Sequence, residues 1–263
     1  MDLGLNGKIA LVTGASAGLG FAVARVLAAE GSDVAIAARR PEPLHAAADQ
    51  IRGEAPVRVL PIPADVTFPV ACQRVVDTTV TELGGLDILV ANAGGPPTGT
   101  FLELSDEQWQ YATELNLMST VRLIRAAVPA MQARGGGRIV VIASLSAKQP
   151  LPNLILSNTL RAGILGLTKS LANELAPLNI LVNAALPGWT RTERVNVLLA
   201  DRARRQGITE EEAARAIAND IPLKRMAEPE EFAAAVAFLA SARASYITGV
   251  ALQIDGGQVR SIV

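Results

Sequence analysis

Short apolar segments rich in valine and isoleucine alternate along this chain with longer segments in which apolar residues recur at helical spacing. The short segments are continuously apolar, which is typical of strands buried on both faces. Seven strands are predicted, at Lys8–Thr13, Asp33–Ala38, Val57–Ile62, Leu86–Ala91, Arg138–Ala143, Ile180–Ala185 and Val250–Ile254. Six helices are predicted, at Gly18–Glu30, Pro41–Gly53, Pro69–Leu83, Asp106–Arg134, Leu154–Ala176 and Pro229–Ala240. Because the two types alternate, we expect right-handed βαβ units and an α/β fold, a doubly wound parallel sheet with helices on both faces in three layers.

The connection between the sixth strand and the last helix is unusually long, running from Pro187 to Glu228. A loop of about 2–6 residues would be usual there. Thr209 followed by Glu212 matches a capping box, so a further helix is predicted inside the connection. A long segment leaving the carboxyl end of a strand is a candidate lid, and a decorated surface loop is the alternative. Since nothing else interrupts the pattern, we expect one domain over residues 1–263 with this excursion at about 187–228.

Size, charge and residue usage narrow the class of protein. The 263 residues lie near the upper size for one hydrophobic core, since chains above ~250–300 residues tend to divide. Twenty-four basic residues against 25 acidic ones give no electrostatic reason to expect a nucleic-acid partner. The apolar runs stop well short of the ~18 residues of a membrane helix, and we expect no signal peptide, because Met1–Lys8 leads directly into the first predicted strand. One cysteine and one histidine give no disulfide and no basis for a histidine-built metal site. We therefore expect a cytoplasmic protein without a membrane partner or a metal.

A glycine-rich turn follows the first strand and leads directly into the first helix. Three glycines in this context let the backbone turn tightly and approach a pyrophosphate, whose charge then lies at the helix N-terminus. The spacing differs from the usual dinucleotide fingerprint, and a plain turn is the alternative, but the strand–turn–helix context favours a bound dinucleotide. The predicted cofactor-binding residues of this turn are Gly14, Ser16, Ala17, Gly18, Leu19 and Gly20.

The end of the second strand bears on which dinucleotide is bound. NAD-binding sites usually have a carboxylate there for the ribose 2′-hydroxyl, whereas this chain has Arg39 and Arg40. A guanidinium suits a 2′-phosphate through a charge-assisted contact of roughly 1.5–3 kcal/mol. NADP(H) is therefore predicted in preference to NAD(H), with two solvated arginines as the alternative.

Further motifs follow the glycine turn in order along nearly the whole chain: Asp65-Val66, Asn92-Ala93-Gly94, Asn116, the segment Pro187–Thr192 and Asp255-Gly256-Gly257. Together they resemble the motifs of the short-chain dehydrogenase/reductase family, in the branch that includes 3-oxoacyl-ACP reductases. The resemblance implies a Rossmann-like fold and an NADP(H)-dependent reaction on a small carbonyl or alcohol. It implies that Asn116 is a catalytic residue and that Thr192 holds the nicotinamide carboxamide. The other cofactor-binding residues it implies are Asp65, Val66, Asn92, Ala93, Gly94, Pro187, Gly188 and Thr190.

The chain departs from the family at the catalytic core of serine, tyrosine and lysine. Ser144 matches the serine, but the tyrosine and lysine positions, about 13 and 17 residues further on, hold Ser157 and Arg161. An aliphatic hydroxyl is a much weaker acid than a phenol, whose pKa is ~10 in water. Arginine stays protonated and cannot relay protons, although it can polarise Ser157 and hydrogen-bond the nicotinamide ribose. We expect Ser144, Ser157 and Arg161 to be catalytic, in an atypical site.

Several residues are candidates for the substrate side of the site, and three functional hypotheses follow. Lys148, Asn153, Arg191 and Arg194 are candidate substrate residues, with ordinary surface charge as the alternative. The first hypothesis is an NADP(H)-dependent oxidoreductase with a modified site, and the second is an NADP(H)-binding sensor or structural subunit. A non-redox enzyme similar to halohydrin dehalogenases is less favoured, because those keep the tyrosine and lose the glycines. By resemblance, a homotetramer or homodimer is expected.

Overall fold

A computed structural model describes residues 2–262. All seven predicted strands are present in one parallel sheet with the order β3-β2-β1-β4-β5-β6-β7. The strands are β1 (Ile9–Thr13), β2 (Asp33–Ala38), β3 (Val59–Pro63), β4 (Ile88–Ala91), β5 (Gly137–Ile142), β6 (Ile180–Pro187) and β7 (Ala251–Ile254). The chain moves outward from β1 to β3 and then returns so that β4 pairs with β1. This reversal is the topological switch point of a doubly wound, Rossmann-like fold, which confirms the predicted fold class.

Helices cover both faces of the sheet. They are α1 (Gly18–Ala29), α2 (Pro41–Glu54), α3 (Pro69–Leu83), α4 (Asp106–Thr113), α5 (Ser119–Ala133), α6 (Ile155–Leu175), α7 (Glu193–Gln206), α8 (Glu210–Asp220) and α9 (Pro229–Ala240). Alternate residues of β1 belong to two separate apolar cores, one with α1, α2 and α9 and the other with α3, α5 and α6. Strands buried on both faces explain why the sequence shows continuous apolar runs.

The predicted helix at Asp106–Arg134 is not continuous. It is divided into α4 and α5 by a π-helical turn at Glu114–Met118, so the prediction of one regular helix was wrong. A π turn adds one residue to the helical repeat, and such turns occur frequently at functional sites. The apolar periodicity does not reveal this insertion because both parts bury apolar residues, Ala112 of α4 against Leu156 and Leu160 of α6, and those of α5 in the core beside the sheet.

The excursion after β6 contains two helices, α7 and α8. The predicted capping box is formed, with Thr209 Oγ1 accepting from Glu212 N at 3.1 Å and Glu212 Oε2 accepting from Thr209 N at 2.8 Å. The two helices share a small apolar core of their own that includes Val195, Leu199 and Ile217. Within residues 2–262, no helix is both long and apolar enough to cross a membrane.

Candidate active site

A cavity of about 300 Å³ lies at the carboxyl ends of the central strands, next to the switch point between β1 and β4. This is where open parallel sheets bind their ligands. Its walls come from the segments after β1, β4, β5 and β6, from the first turns of α6, and from the start of α7. Of the predicted site residues, it is lined by Gly14, Ala17, Gly18, Leu19, Asn92, Ala93, Gly94, Ser144, Ser157, Arg161, Pro187, Gly188, Thr190, Thr192 and Arg194.

The glycine turn on one side of the cavity is held tightly against the loop after β4. A side chain at Gly20 would place its Cβ closer than 3.0 Å to the carbonyl oxygen of Gly14, and Gly14 and Gly18 have φ values of +60° and +58°. Asn92 Nδ2 donates to the same Gly14 oxygen at 3.2 Å, and Thr13 Oγ1 donates to Asn92 O at 2.7 Å. The turn is thus a close backbone approach that only glycine permits.

The first helix begins at this turn, and no side chain caps the backbone N–H groups of its first turn. Its N-cap residue is Ala17, which provides no side-chain cap, and its first turn carries no acidic residue. The N–H groups of the first turn have no partner within a helix and attract anions. Ser16 lies half-buried in the same turn. These features fit the pyrophosphate of a dinucleotide.

The far end of this site, beyond β2 and β3, has the residues predicted to hold the adenosine. Arg39 and Arg40 are exposed directly after β2, and Arg39 Nη1 donates to the Tyr111 hydroxyl at 3.3 Å. Asp65 and Val66 follow β3 on the adjacent strand, with Asp65 Oδ1 accepting from the backbone and hydroxyl of the residue two positions later. Within the described residues, the Arg39 guanidinium forms no ion pair with a carboxylate, and its only hydrogen bond is to the Tyr111 hydroxyl. It is therefore available to a 2′-phosphate.

Ser144, Ser157 and Arg161 line the opposite wall, and Ser146 is buried behind it. Ser144 Oγ accepts from Ser146 N at 3.1 Å, and the Ser146 and Ser157 hydroxyls are hydrogen-bonded at 3.1 Å. Arg161, one turn after Ser157 on α6, donates through Nη1 to Ile142 O at 2.6 Å. Ser146 was not among the predicted site residues. Its only sequence signal is its position two residues after Ser144, beyond the end of β5.

The charge of Arg161 persists at neutral pH although the residue is only 6 % exposed. Burial, with a smaller contribution from the positive charge of Arg194, lowers the pKa of Arg161 to about 10. Burial also lowers the pKa of Arg194, whose Nη2 donates to Pro96 O at 2.8 Å. Two guanidinium cations therefore face the same cavity from α6 and from the start of α7.

The π-helical turn between α4 and α5 carries Asn116. Its Nδ2 donates to Gly94 O at 2.9 Å, while its Oδ1 is buried without a hydrogen-bond partner in the protein. A buried amide oxygen of this kind is usually satisfied by water or a ligand. Asn116 is thus tied to the segment after β4, which lines the cavity.

The remaining predicted substrate residues lie outside the cavity. Lys148 follows the short 3₁₀ turn at Leu145–Ala147 and does not line it. Asn153 lines a neighbouring cavity of about 450 Å³ instead. Arg191 points outward and pairs with Glu228 at 3.0 Å. Among the four candidates only Arg194 faces the serine wall, because it begins α7 and crosses to the loop after β4.

Similarities to known proteins cover almost the whole chain. The profile of a family described as enoyl-(acyl carrier protein) reductase matches residues 14–258. The chain is 38% identical over 256 residues to dehydrogenase/reductase SDR family member 4 of Bos taurus, covering 97% of this chain and 88% of that protein. It is 35% identical over 257 residues to 3-oxoacyl-(acyl-carrier-protein) reductase FabG of Aquifex aeolicus (strain VF5), covering 98% and 99%. The solved structure of L-sorbose reductase from Gluconobacter frateurii, complexed with NADPH and L-sorbose, superposes over 100% of both chains with a TM-score of 0.95 and 39% identity.

Proposed function

Because the chain belongs to the short-chain dehydrogenase/reductase family, we propose that it is an NADP(H)-dependent oxidoreductase that interconverts a carbonyl and an alcohol. The observation that carries the proposal is the shared cavity, which the glycine turn lines on one side and Ser144, Ser157 and Arg161 line on the other. Ser157 and Arg161 stand, by resemblance, at the positions of the family's tyrosine and lysine. The proposed enzyme therefore has an atypical acid in an otherwise ordinary site.

The cofactor-binding residues fit NADP(H). The open N-terminus of α1 and the close approach of Gly14 and Gly20 accommodate a pyrophosphate, and Arg39 offers a cation for a 2′-phosphate. Gly94 and Thr192 would contact the nicotinamide half, since both line the cavity near the serine wall. NADPH, when bound there, supplies the hydride for carbonyl reduction.

The protein's own groups would orient the carbonyl and provide its proton. The Ser144 hydroxyl would hold the carbonyl oxygen, and Ser157 Oγ would donate the proton. Because Ser157 lines the cavity, its hydroxyl would regain the proton from a water molecule there, while Ser146 Oγ, hydrogen-bonded to Ser157 Oγ at 3.1 Å, would hold that hydroxyl in place. Arg161 would stay charged and stabilise the negative charge that develops on the carbonyl oxygen, an interaction that is strongest where water is excluded. The orphaned Oδ1 of Asn116 would hold a water molecule behind the site.

The test is a fluorescence titration with NADPH and NADH, followed by a screen of carbonyl substrates for NADPH oxidation. We expect NADPH to bind and at least one carbonyl to be reduced, with the rate lowered by Ser144→Ala. If the protein binds neither NADPH nor NADH, the proposed dinucleotide site is wrong and the proposed function fails.

The preference for NADP(H) is expected to depend on Arg39. Arg39→Glu replaces the cation that would meet the 2′-phosphate by a carboxylate that repels it, so we expect NADPH affinity to fall about 10- to 100-fold, as the loss of a charge-assisted contact implies. NADH affinity should stay unchanged or improve. The measurement is the pair of dissociation constants, with Arg215→Glu on the exposed surface of α8 as a charge-matched control. If the affinities for NADPH and NADH fell equally, Arg39 would not determine the preference for NADP(H).

The second candidate function is an NADP(H)-binding protein without dehydrogenase activity, acting as a sensor or a structural subunit. One observation favours it: within residues 2–262, no tyrosine and no lysine lines the cavity. The site would then keep the dinucleotide but lack the usual proton donor. Binding of NADPH without turnover of any carbonyl would support this function.

The double variant Ser157→Tyr/Arg161→Lys separates the two functions. It introduces a phenol next to an ammonium, and positioned general acids contribute ~10²–10⁴-fold to rates. We expect the rate of reduction of an activated diketone to rise at least about tenfold. This is below the range for a positioned acid, because the new tyrosine ring must fit beside Ser146. The single variants serve as controls, since neither supplies the complete pair. If the wild type turns over and the double variant is slower, Ser157 and Arg161 form a working pair of their own.

A homodimer or homotetramer remains our expectation for the assembly. The apolar residues of α6 do not all contribute to it, because Leu160 and Ile164 are buried within the monomer. Leu167, Leu171 and Leu175 are half-buried and pack at the edge of the core with α3 and α5. Size-exclusion chromatography that shows only a ~27 kDa species would contradict this expectation.

A further inference from the structure

Two cations on opposite sides of the proposed active site lack a counter-ion. Arg161 enters the cavity from α6 and Arg194 from the start of α7. In the part of the chain that the structure describes, neither guanidinium forms an ion pair with a carboxylate. Glu193 lines the same cavity but is exposed and pairs with neither arginine. Buried charges are normally paired, so this arrangement is costly unless a ligand compensates it.

Both side chains have unused hydrogen-bond donors. A guanidinium carries five N–H groups. Arg161 uses Nη1 for Ile142 O, and Arg194 uses Nη2 for Pro96 O. These two bonds anchor the guanidinium groups to the last residue of β5 and to the loop after β4, so their positions are fixed before a ligand arrives. Within residues 2–262, no hydrogen-bond partner is present for the remaining N–H groups. Those of Arg161 are enough for both the nicotinamide ribose, which the resemblance places there, and a substrate oxygen, and those of Arg194 are available to the substrate alone.

We propose that the region between Arg161 and Arg194 binds a carboxylate of the substrate, so that the substrate is an oxo acid and its product a hydroxy acid. This inference rests on the proposed function of the same cavity. A guanidinium matches the planar, bidentate geometry of a carboxylate, and charge-assisted bonds of this kind are about twice as strong as neutral ones. Two guanidiniums around one anion also fix its direction, which orients the carbonyl against the Ser144 and Ser157 hydroxyls.

The phosphates of the dinucleotide are a less suitable source for this anion. The open N-terminus of α1 and the glycine turn already provide a place for the pyrophosphate, and Arg39 provides one for the 2′-phosphate. Arg161 instead follows Ser157 by one turn of α6, on the serine wall. The same cavity is also lined by apolar side chains, among them Leu145, Leu154, Leu198 and Trp189. An apolar chain with one carboxylate matches that lining.

The direct test uses a carboxylate that cannot be reduced. Pentanoate and its neutral analogue pentanamide are titrated calorimetrically into the full-length protein, with and without saturating NADP⁺. We expect pentanoate to bind at least about tenfold more tightly than pentanamide. Arg194→Gln should weaken pentanoate binding at least about tenfold, while its affinity for NADPH stays within about twofold of the wild-type value. Arg191→Gln is the matched control, because that neighbouring arginine pairs with Glu228 outside the cavity and should change neither affinity.

Different failures have different meanings. Equal binding of pentanamide, or no binding of pentanoate, overturns the carboxylate site. A loss of NADPH affinity in Arg194→Gln without a loss for pentanoate also overturns it, since the anion would then be a phosphate of the dinucleotide. The proposed function fails independently if no oxo acid is reduced although pentanoate binds. For turnover, 2-, 3- and 4-oxopentanoate are compared with their methyl esters, and we expect a lower KM for one acid than for its ester.

Discussion

Arg161→Met is expected to lower kcat for carbonyl reduction by about 10²–10³-fold while leaving the protein folded. In the proposed mechanism the charge of Arg161 stabilises the oxygen that becomes negative during the reaction. That interaction is made mainly in the transition state, so its loss should appear in kcat and not only in KM. Methionine has a similar length and fills the space on α6 without a charge.

Two opposing terms decide the stability of this variant. Removing the guanidinium leaves Ile142 O without its donor, which costs about 1–3 kcal/mol. It also removes a charge that is buried without a carboxylate partner, and the desolvation cost of such a charge is several kcal/mol. We therefore expect the free energy of unfolding to change by less than about 2 kcal/mol, with either sign. Steady-state kinetics and urea denaturation together test both halves of this prediction.

Arg138→Met is the matched control for Arg161→Met. Arg138 is also partly buried without an ion pair within the described residues, its Nε lacks a partner, and burial lowers its pKa. It lies on β5 but does not line the site cavity. We expect this control to leave kcat within about twofold of the wild type. If Arg161→Met retained full activity, Arg161 would have no catalytic role and the proposed mechanism would fail.

Gly20→Ala is expected to reduce NADPH affinity by at least about 100-fold. The added Cβ would lie closer than 3.0 Å to the carbonyl oxygen of Gly14 and to the Asn92 side chain. Neither neighbour yields easily, because Asn92 Nδ2 holds the Gly14 oxygen and the Asn92 backbone is bonded to Thr13. The first turn of α1 must therefore move away from the position that fits a pyrophosphate. The measurement is the NADPH dissociation constant by fluorescence.

Gly53→Ala controls for the general effect of adding a methyl group to a helical glycine. Gly53 lies near the exposed end of α2 with no atom near the position of a Cβ. There alanine should stabilise the helix slightly and leave NADPH binding unchanged. Circular dichroism and thermal unfolding of Gly20→Ala show whether the fold persists. A folded Gly20→Ala protein with normal NADPH affinity would mean that the dinucleotide does not approach this turn.

The local parts of the structure could be predicted well from the sequence. Buried parallel strands impose continuous apolar runs, so the number and positions of the strands follow from the apolar pattern, and their parallel direction follows from the alternation with helices. The glycine turn lies directly between β1 and α1, as its spacing predicts. The helix caps are equally local, and the Thr209–Glu212 pair forms as predicted. These features depend on residues within a few positions of one another.

The assembly of the cavity wall depends on longer-range packing. The hydrogen bond between the Ser146 and Ser157 hydroxyls joins the segment after β5 to α6, and nothing in the intervening sequence indicates it. The π turn that carries Asn116 changes the helical repeat by one residue, which an apolar pattern does not resolve. Lys148 and Asn153 are close in sequence to Ser144 and Ser157, yet neither lines the site cavity.

By itself, the sequence determined the α/β architecture, the glycine turn and the presence of Ser157 and Arg161 one helical turn apart, because backbone preferences and burial act over short spans of chain. Only the tertiary structure decided that Arg161 and Arg194 face one cavity while Arg191 points outward to Glu228. Those directions depend on how the chain passes from β6 into α7, which lets the Arg194 side chain reach Pro96 O in the loop after β4. That path is set by packing between distant segments.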